Sequence, residues 1–302
     1  MDLKSKIILI YGPTASGKSE FAIKLAKKLK GEIINADSMQ VYKDLKILTA
    51  RPLKKNYKKI NHHLYGFQNG KRIFSTGDWL KLASKKINDI KKRKKVPILV
   101  GGTGLYFKAI VEGLVEIPNI PIIFRNKVRK YQKEIGQQKF YQKLLKIDPL
   151  IINKIRPTDV QRSIRAYEVK LFTKKSITDW YGDTKSNFNK KEFYKIIIDF
   201  PRQDLIQRIN TRTIKMFKNG ATAEVKRFLK FNIPKERSIS KAIGILEISE
   251  YLKKKTIKES LIEKISIKTR QYAKRQSTWA RGNMKDWNKV DTDGLDKLLK
   301  KI

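Results

Sequence analysis

Eight residues near the N-terminus, GPTASGKS at 12–19, have the types and spacing needed to hold a diphosphate. They fill every fixed position of the pattern G-x-x-x-x-G-K-S/T and lie between an apolar run, KIILIY at 6–11, and the helix-like stretch FAIKLAKKLK. Glycines at 12 and 17 let the backbone turn tightly, so that successive N–H groups point inward at the start of a helix. The candidate diphosphate site is Gly12, Pro13, Thr14, Ala15, Ser16, Gly17, Lys18 and Ser19. Lys18 adds a full positive charge, the hydroxyls of Thr14 and Ser16 are further oxygen ligands, and Ser19 is the candidate ligand for Mg²⁺. Arg208 and Arg212, four apart on one helical face, could reach the diphosphate or a nucleic acid, or form a solvated basic face. Such a loop does not by itself specify a nucleotide, because any ligand with a diphosphate fits the cradle.

The rest of the site must come from carboxylates and hydroxyls, since the chain has no cysteine and only two histidines, the adjacent His62 and His63. Disulfides, thiol catalysis and Cys-ligated zinc are excluded. The histidines read as structural or hydrogen-bonding groups rather than metal ligands. Asp37 and Asp199 both end strand-like runs, where an aspartate either serves chemistry or caps a turn. Lys and Arg number 70 against 28 Asp and Glu, a net charge of +42. That excess attracts polyanions, nucleic acid first among them, although a lysine-rich composition accounts for part of it.

The elements that position these residues alternate. Apolar runs at 6–11, Glu32 to Asn35 and Val96 to Val100 predict strands. Each leads into a loop and then a helix, the later ones beginning near Ser75, with Ser75 or Thr76 as cap, and after GGTG at 101–104. This is the order of a doubly wound parallel sheet, an α/β fold of the P-loop NTPase-like kind. From 115 to 190 the pattern changes to helices punctuated by Pro118, Pro121, Pro149 and Pro157, and no strand is expected there. A buried-type strand returns at Tyr194 to Asp199, followed by a helix that Gly220 terminates and by three more helices to about Arg281. The expected domains are thus a core of 1–114 with 191–302 and a mostly helical insertion of 115–190. No apolar run is long enough to span a membrane, and the start MDLKSKIILIYG lacks a secretory signal, so a cytoplasmic protein is expected.

Six segments carry a family resemblance: GPTASGKS at Gly12, NADSMQVY at Asn35, GGTGLYFKA at Gly101, DVQRSIRAYEV at Asp159, KAIGILE at Lys241 and TRQYAKRQSTWARG at Thr269. In this order they resemble the bacterial tRNA dimethylallyltransferases, also called tRNA isopentenyltransferases, over almost the whole chain. The resemblance implies transfer of a dimethylallyl group from dimethylallyl diphosphate to N6 of the adenine 3′-adjacent to the anticodon, in tRNAs reading U-initial codons. It also implies Mg²⁺ and a phosphate loop that binds the prenyl diphosphate rather than ATP. By the same resemblance Asp37 is the general base, Lys18 stabilises the leaving diphosphate, and Thr103 lies near the target base, although Thr103 could equally be a turn residue.

The partner implied is the anticodon stem-loop of tRNA. The residues matching the family's tRNA-contacting segments are Asp37, Ser38, Met39 and Gln40, then Gln161, Arg162, Ser163, Ile164 and Arg165, the insertion's contribution to tRNA binding. On a helix Arg162 and Arg165 are neighbours that can bracket a phosphate or stack on an extruded base. Near the C-terminus, helical angles align Arg270, Lys274 and Arg281 opposite a packing side that includes Ile262, Ile265, Tyr272, Ala273 and Trp279. Arg270 and Lys274 are therefore candidate RNA contacts, and Tyr272 and Trp279 read as core. The sequence departs from the family pattern at Met39, Leu48, Val160, Ile245 and Leu246, which puts base-specific contacts at Met39 and Leu246 in doubt. A monomer is expected, with no membrane partner. The competing readings are an adenylate prenyltransferase acting on a free nucleotide, an ATP-dependent small-molecule kinase, and a noncatalytic RNA-binding protein; the intact Lys18, Ser19 and Asp37 speak against the last.

Overall fold

The structure, a computed structural model, describes residues 3–53, 57 and 59–301. Two compact units divide the chain: Met1–Val111 with Asn187–Ile302, and Glu112–Ser186.

The first unit is built on a six-stranded sheet in which every pairing is parallel, in the order β3-β2-β4-β1-β5-β6. The strands are β1 (Ile7–Tyr11), β2 (Glu32–Asn35), β3 (His62–His63), β4 (Pro97–Gly101), β5 (Phe193–Ile198) and β6 (Asn288–Val290). Their pleat divides the apolar residues between the two faces. Ile7, Leu9, Tyr11, Ile34, Leu99 and Ile197 enter one core, and Ile8, Ile10, Ile33, Ile98, Val100, Ile196 and Ile198 enter the other. Both faces are covered, which is why the strand sequences read as continuous apolar runs.

The helices of this unit are α1 (Lys18–Leu29), α2 (Thr76–Lys92) and α3 (Gly104–Glu112), and, after the second unit, α7 (Arg202–Lys218), α8 (Ala221–Leu229), α9 (Ile245–Leu252), α10 (Lys258–Asn283) and α11 (Thr292–Lys301). Ser75 caps α2 as expected: its side chain accepts from the Asp78 N–H, and Asp78 returns a bond to the Ser75 N–H. Such a box contributes about 0.5–2 kcal/mol. Gly220, at φ 93°, donates its N–H to the Phe217 carbonyl at the end of α7 and opens α8, so one glycine serves two helices.

Three elements were not foreseen in the sequence. β3 has two residues and β6 three, too short for an alternating pattern, and each exists by pairing with a neighbour, β2 or β5. α11 follows β6 and buries Leu295 in the core that α1 also joins.

The second unit holds α4 (Ile122–Ile147), α5 (Val160–Thr173) and α6 (Ile177–Trp180) around Ile120, Leu144, Ile151, Ala166 and Val169. Within α4, Gly136 has φ 75° and ψ 165°, a kink that joins two helical segments.

Candidate active site

The phosphate loop leaves the carboxyl end of β1, between the ends of β4 and β5, at the point where the strand order reverses and parallel sheets place their ligands. Gly17, at φ 82°, takes the N-cap position of α1 and has no side chain to offer, so the first helical amides are left for a ligand. A Cβ on Gly12 would stand 2.7 Å from Ser16 Oγ. That hydroxyl is buried and has no hydrogen-bond partner, a costly state for a polar atom unless an anion completes it. Lys18 Nζ donates to the Pro13 carbonyl at 3.0 Å. Burial pushes the Lys18 ammonium down to about 8, opposed by Asp37 and reinforced by the Arg212 charge. A desolvated lysine, an orphaned serine hydroxyl and unpaired helix-end amides together fit a diphosphate. Arg208 lies beside them: its guanidinium stacks over Phe200 at 4.4 Å and stands 3.3 Å from where a Cβ on Gly17 would lie.

The second wall comes from the ends of β2 and β4. Asn35 Oδ1 accepts from the Asp37 N–H, and Asn35 Nδ2 donates to the carbonyls of Asp37 and Leu64, which fixes the turn that carries Asp37. Asp37 Oδ1 accepts from the N–H groups of Met39 at 2.9 Å and Gln40 at 3.3 Å. The aspartate therefore caps a turn and also faces the site, and the two readings of this residue are compatible because a carboxylate has a second oxygen. Thr103 joins the walls: its Oγ1 accepts from the Ser38 N–H at 2.9 Å and donates to Ser38 Oγ, while its N–H reaches the Ala36 carbonyl. Gln40 turns away from any ligand, donating to the carbonyls of Thr49 and Ala50.

The third wall is α7 and α10. A cavity of about 330 Å³ is lined by polar residues that include Thr14, Asp37, Ser38, Arg212, Tyr272 and Arg275 and by apolar residues that include Met39, Leu48, Met216, Ile243 and Ile265. Burial lowers the Arg212 pKa, with Asp37 opposing, so Arg212 rather than Arg208 is the arginine that shares the cavity with the aspartate. Tyr272 also lines it, half-buried under Arg275, and its phenol is pushed up by burial and by the Asp37 charge. This corrects the assignment of Tyr272 to the core. Trp279 does pack on the core, tilted over Tyr11 and so close to Gly104 that a Cβ there would meet the indole at 2.2 Å.

Gln276 was missed in the sequence. Its Oε1 accepts from the Thr14 N–H at 2.8 Å and its Nε2 donates to the Gly102 carbonyl at 2.7 Å, so one buried amide ties the phosphate loop to the glycine turn after β4. The available signal was its polarity on the inward side of α10, one turn after Tyr272.

Other expected residues have different surroundings. Asp199 is exposed and does not line the cavity; its N–H bonds to the Val290 carbonyl. Arg270 is half-buried and Lys274 exposed, both outside the cavity lining. In the second unit Gln161 and Arg162 are exposed, and Ile164 and Arg165 are half-buried. Ser163 is 0% exposed, its hydroxyl donating to the Asp159 carbonyl and accepting from Gln137, so it holds the helix start and is not a surface contact. Arg162 pairs with Asp159 at 3.5 Å and Arg165 with Glu168 at 3.5 Å, so the two arginines rest on different carboxylates. His63 binds buried Glu32 at 2.7 Å, and His62 stacks on Tyr57. Of the departures from the family pattern, Met39 and Leu48 form cavity wall, Ile245 is buried, and Leu246 is exposed. Among the described residues no group of three or more His, Asp or Glu could hold a metal.

Comparison with known proteins bears on this geometry. The family model described as IPP transferase matches residues 40–283. The tRNA dimethylallyltransferase of Pelagibacter ubique is 60% identical over 302 residues, covering all of this chain and 96% of its own. That of Rhizobium etli is 42% identical over 94% of this chain and 96% of its own. Among solved structures, the tRNA isopentenylpyrophosphate transferase of Bacillus halodurans aligns with a TM-score of 0.70 at 31% identity, covering 98% of this chain and 95% of that one. A eukaryotic dimethylallyltransferase acting on tRNA aligns at 0.83 with 29% identity, over 95% of this chain and 73% of that one.

Proposed function

The chain belongs to the IPP transferase family, and from that premise we propose that it takes a dimethylallyl group from dimethylallyl diphosphate seated on Gly12–Ser19 and passes it to N6 of the adenine 3′-adjacent to a tRNA anticodon, in tRNAs that read U-initial codons. It is a transferase of the tRNA dimethylallyltransferase type. The observation that carries the residue assignment is a single juxtaposition. The Asp37 carboxylate opposes the desolvation of the Lys18 ammonium, and Asp37 lines a cavity that also has apolar lining.

Breaking the allylic carbon–oxygen bond leaves negative charge on the diphosphate. Lys18, the amides at the start of α1, Ser16 Oγ and Arg208 are placed to stabilise it as it develops. Mg²⁺, when bound, neutralises diphosphate charge as a Lewis acid, and Ser19 is the residue that would hold it. The exocyclic amine of adenine is a weak nucleophile whose lone pair is delocalised, so a base must remove a proton as the new bond forms. Asp37 serves, with Oδ1 held by two amides and the carboxylate facing the cavity. Thr103, by bonding Ser38, positions this turn. The adenine must leave its stack to enter. Met39, Leu48, Met216, Ile243 and Ile265 give the five-carbon chain an apolar surface.

No helix among the described residues is long and apolar enough to cross a membrane, and a tRNA substrate supports a cytoplasmic location. The reading is tested by incubating the protein with dimethylallyl diphosphate, Mg²⁺ and unmodified tRNA and locating added mass by nucleoside mass spectrometry. A five-carbon group on adenine N6 beside the anticodon is expected. Modification of free adenylate instead would return the protein to the nucleotide prenyltransferase reading.

A further inference from the structure

The second unit contains an uneven charge cluster. Glu168 on α5 is 1% exposed, and three arginines surround it: Arg125 Nε at 3.4 Å and Arg129 Nε at 3.7 Å from α4, and Arg165 at 3.5 Å one turn back on α5. None of these contacts reaches hydrogen-bond geometry, and both Glu168 Oε1 and Arg125 Nε are buried without a hydrogen-bond partner. Three positive charges therefore share one negative charge, and the guanidinium groups keep donors that the carboxylate does not use. The arginine side chains are 32%, 45% and 38% exposed, so the cluster reaches solvent while its anion does not. Arg162, the neighbour on α5, is engaged by Asp159 and lies outside this group. A buried carboxylate that gathers guanidinium forks at a surface leaves them charged, desolvated in part and oriented, the condition for binding another planar or tetrahedral oxyanion.

We propose that Arg125, Arg129 and Arg165, gathered by Glu168, seat one phosphate of the tRNA backbone. Glu168 is a positioning residue here, and the inference rests on the reading of the chain as a tRNA-modifying enzyme. The seat draws on two helices, and of the neighbouring Arg162 and Arg165 on α5 only Arg165 belongs to it.

Charge counting and positioning give opposite signs for one variant. Glu168→Gln removes the negative charge beneath the arginines, so a diffuse field predicts tighter tRNA binding, whereas loss of the anchor predicts weaker binding. Affinity for unmodified tRNA is measured by fluorescence anisotropy at several salt concentrations, with thermal unfolding as the check on folding. We expect E168Q to bind at least threefold more weakly. We expect Arg125→Ala with Arg129→Ala to bind about tenfold more weakly and to lower the slope of log affinity against log salt by about 1, the signature of one phosphate contact. The charge-preserving pair Arg125→Lys with Arg129→Lys should recover less than half of the lost binding free energy, because ammonium groups lack the fork. Unchanged or tighter binding by a folded E168Q, an unchanged salt slope in the alanine pair, or full recovery by the lysine pair overturns the seat. If E168Q unfolds, the two arginine pairs decide. Wild-type transfer to the same tRNA is measured alongside: transfer without dependence on the arginines defeats the seat alone, and arginine-dependent binding without transfer defeats only the enzymatic reading.

Discussion

The phosphate loop and the arginine cluster of the second unit both hold more positive charge than negative, and they hold it in opposite ways. At the loop, Lys18 is desolvated until its pKa falls to about 8, a serine hydroxyl is buried without a partner, and Gln276 fastens the loop to the turn after β4. Around Glu168 the cations remain partly exposed and stand 3.4–3.7 Å from their carboxylate. A desolvated, tightly held charge suits a small ligand whose own charge changes during a reaction, because little reorganisation is then needed. An exposed and loosely paired charge suits a large polyanion that must be found, held in register and released. On the proposed function, chemistry belongs to the first region and recognition to the second.

The comparison breaks most readily at Asp37. Asp37→Asn keeps the turn's acceptor but removes the base, and single-turnover transfer should fall by about 10²–10⁴ while tRNA affinity changes less than twofold. Lys18→Ala should lower kcat/KM for dimethylallyl diphosphate by about 10²–10³ in steady-state assays, an effect seen on the donor and not on tRNA binding.

The depressed Lys18 pKa makes a smaller, signed prediction. In the free protein Lys18 loses its proton as pH rises past about 8, whereas a bound diphosphate favours the charged form. Donor binding above that pH must then take up a proton, and affinity should fall by up to about tenfold per pH unit. Calorimetry in buffers of different ionisation enthalpy reads the proton uptake directly, and Lys18→Ala should abolish it.

Gln276→Ala should cost about 1–3 kcal/mol through the unpaired Thr14 N–H and Gly102 carbonyl, lowering the thermal midpoint and raising KM for the donor. The smallest effect belongs to Arg162. Its exposed pair with Asp159 contributes about 0–1 kcal/mol, so Arg162→Ala should leave the midpoint unchanged and weaken tRNA binding less than threefold. A matched control is Lys81→Ala, an exposed lysine on α2.

Much of the catalytic unit was legible because its signals are local. GPTASGKS names its own turn, and strands buried on both faces read as apolar runs. The two roles of Asp37 could not be separated by sequence, since a cap and a base have the same side chain and differ only in what the carboxylate faces. The role of Tyr272 was illegible for another reason: helical angles place it on the inward side of α10, and periodicity cannot tell a side that packs from a side that lines a cavity. β3 and β6 are too short to carry a pattern and are specified by the edges they join. The charges around Glu168 come from two helices separated by a kink and a long connection. Adjacency along α5 suggested Arg162 as the partner of Arg165, and only tertiary packing brings Arg125 and Arg129 instead.

The division of labour is tested most directly by measuring kcat and KM for tRNA, in one transfer assay at saturating dimethylallyl diphosphate, for Asp37→Asn and for Arg125→Ala with Arg129→Ala. The aspartate variant should lose kcat with KM for tRNA nearly unchanged, and the arginine pair should raise KM for tRNA, the loss falling there rather than on kcat. If both variants move the same parameter, the two regions do not divide chemistry from recognition.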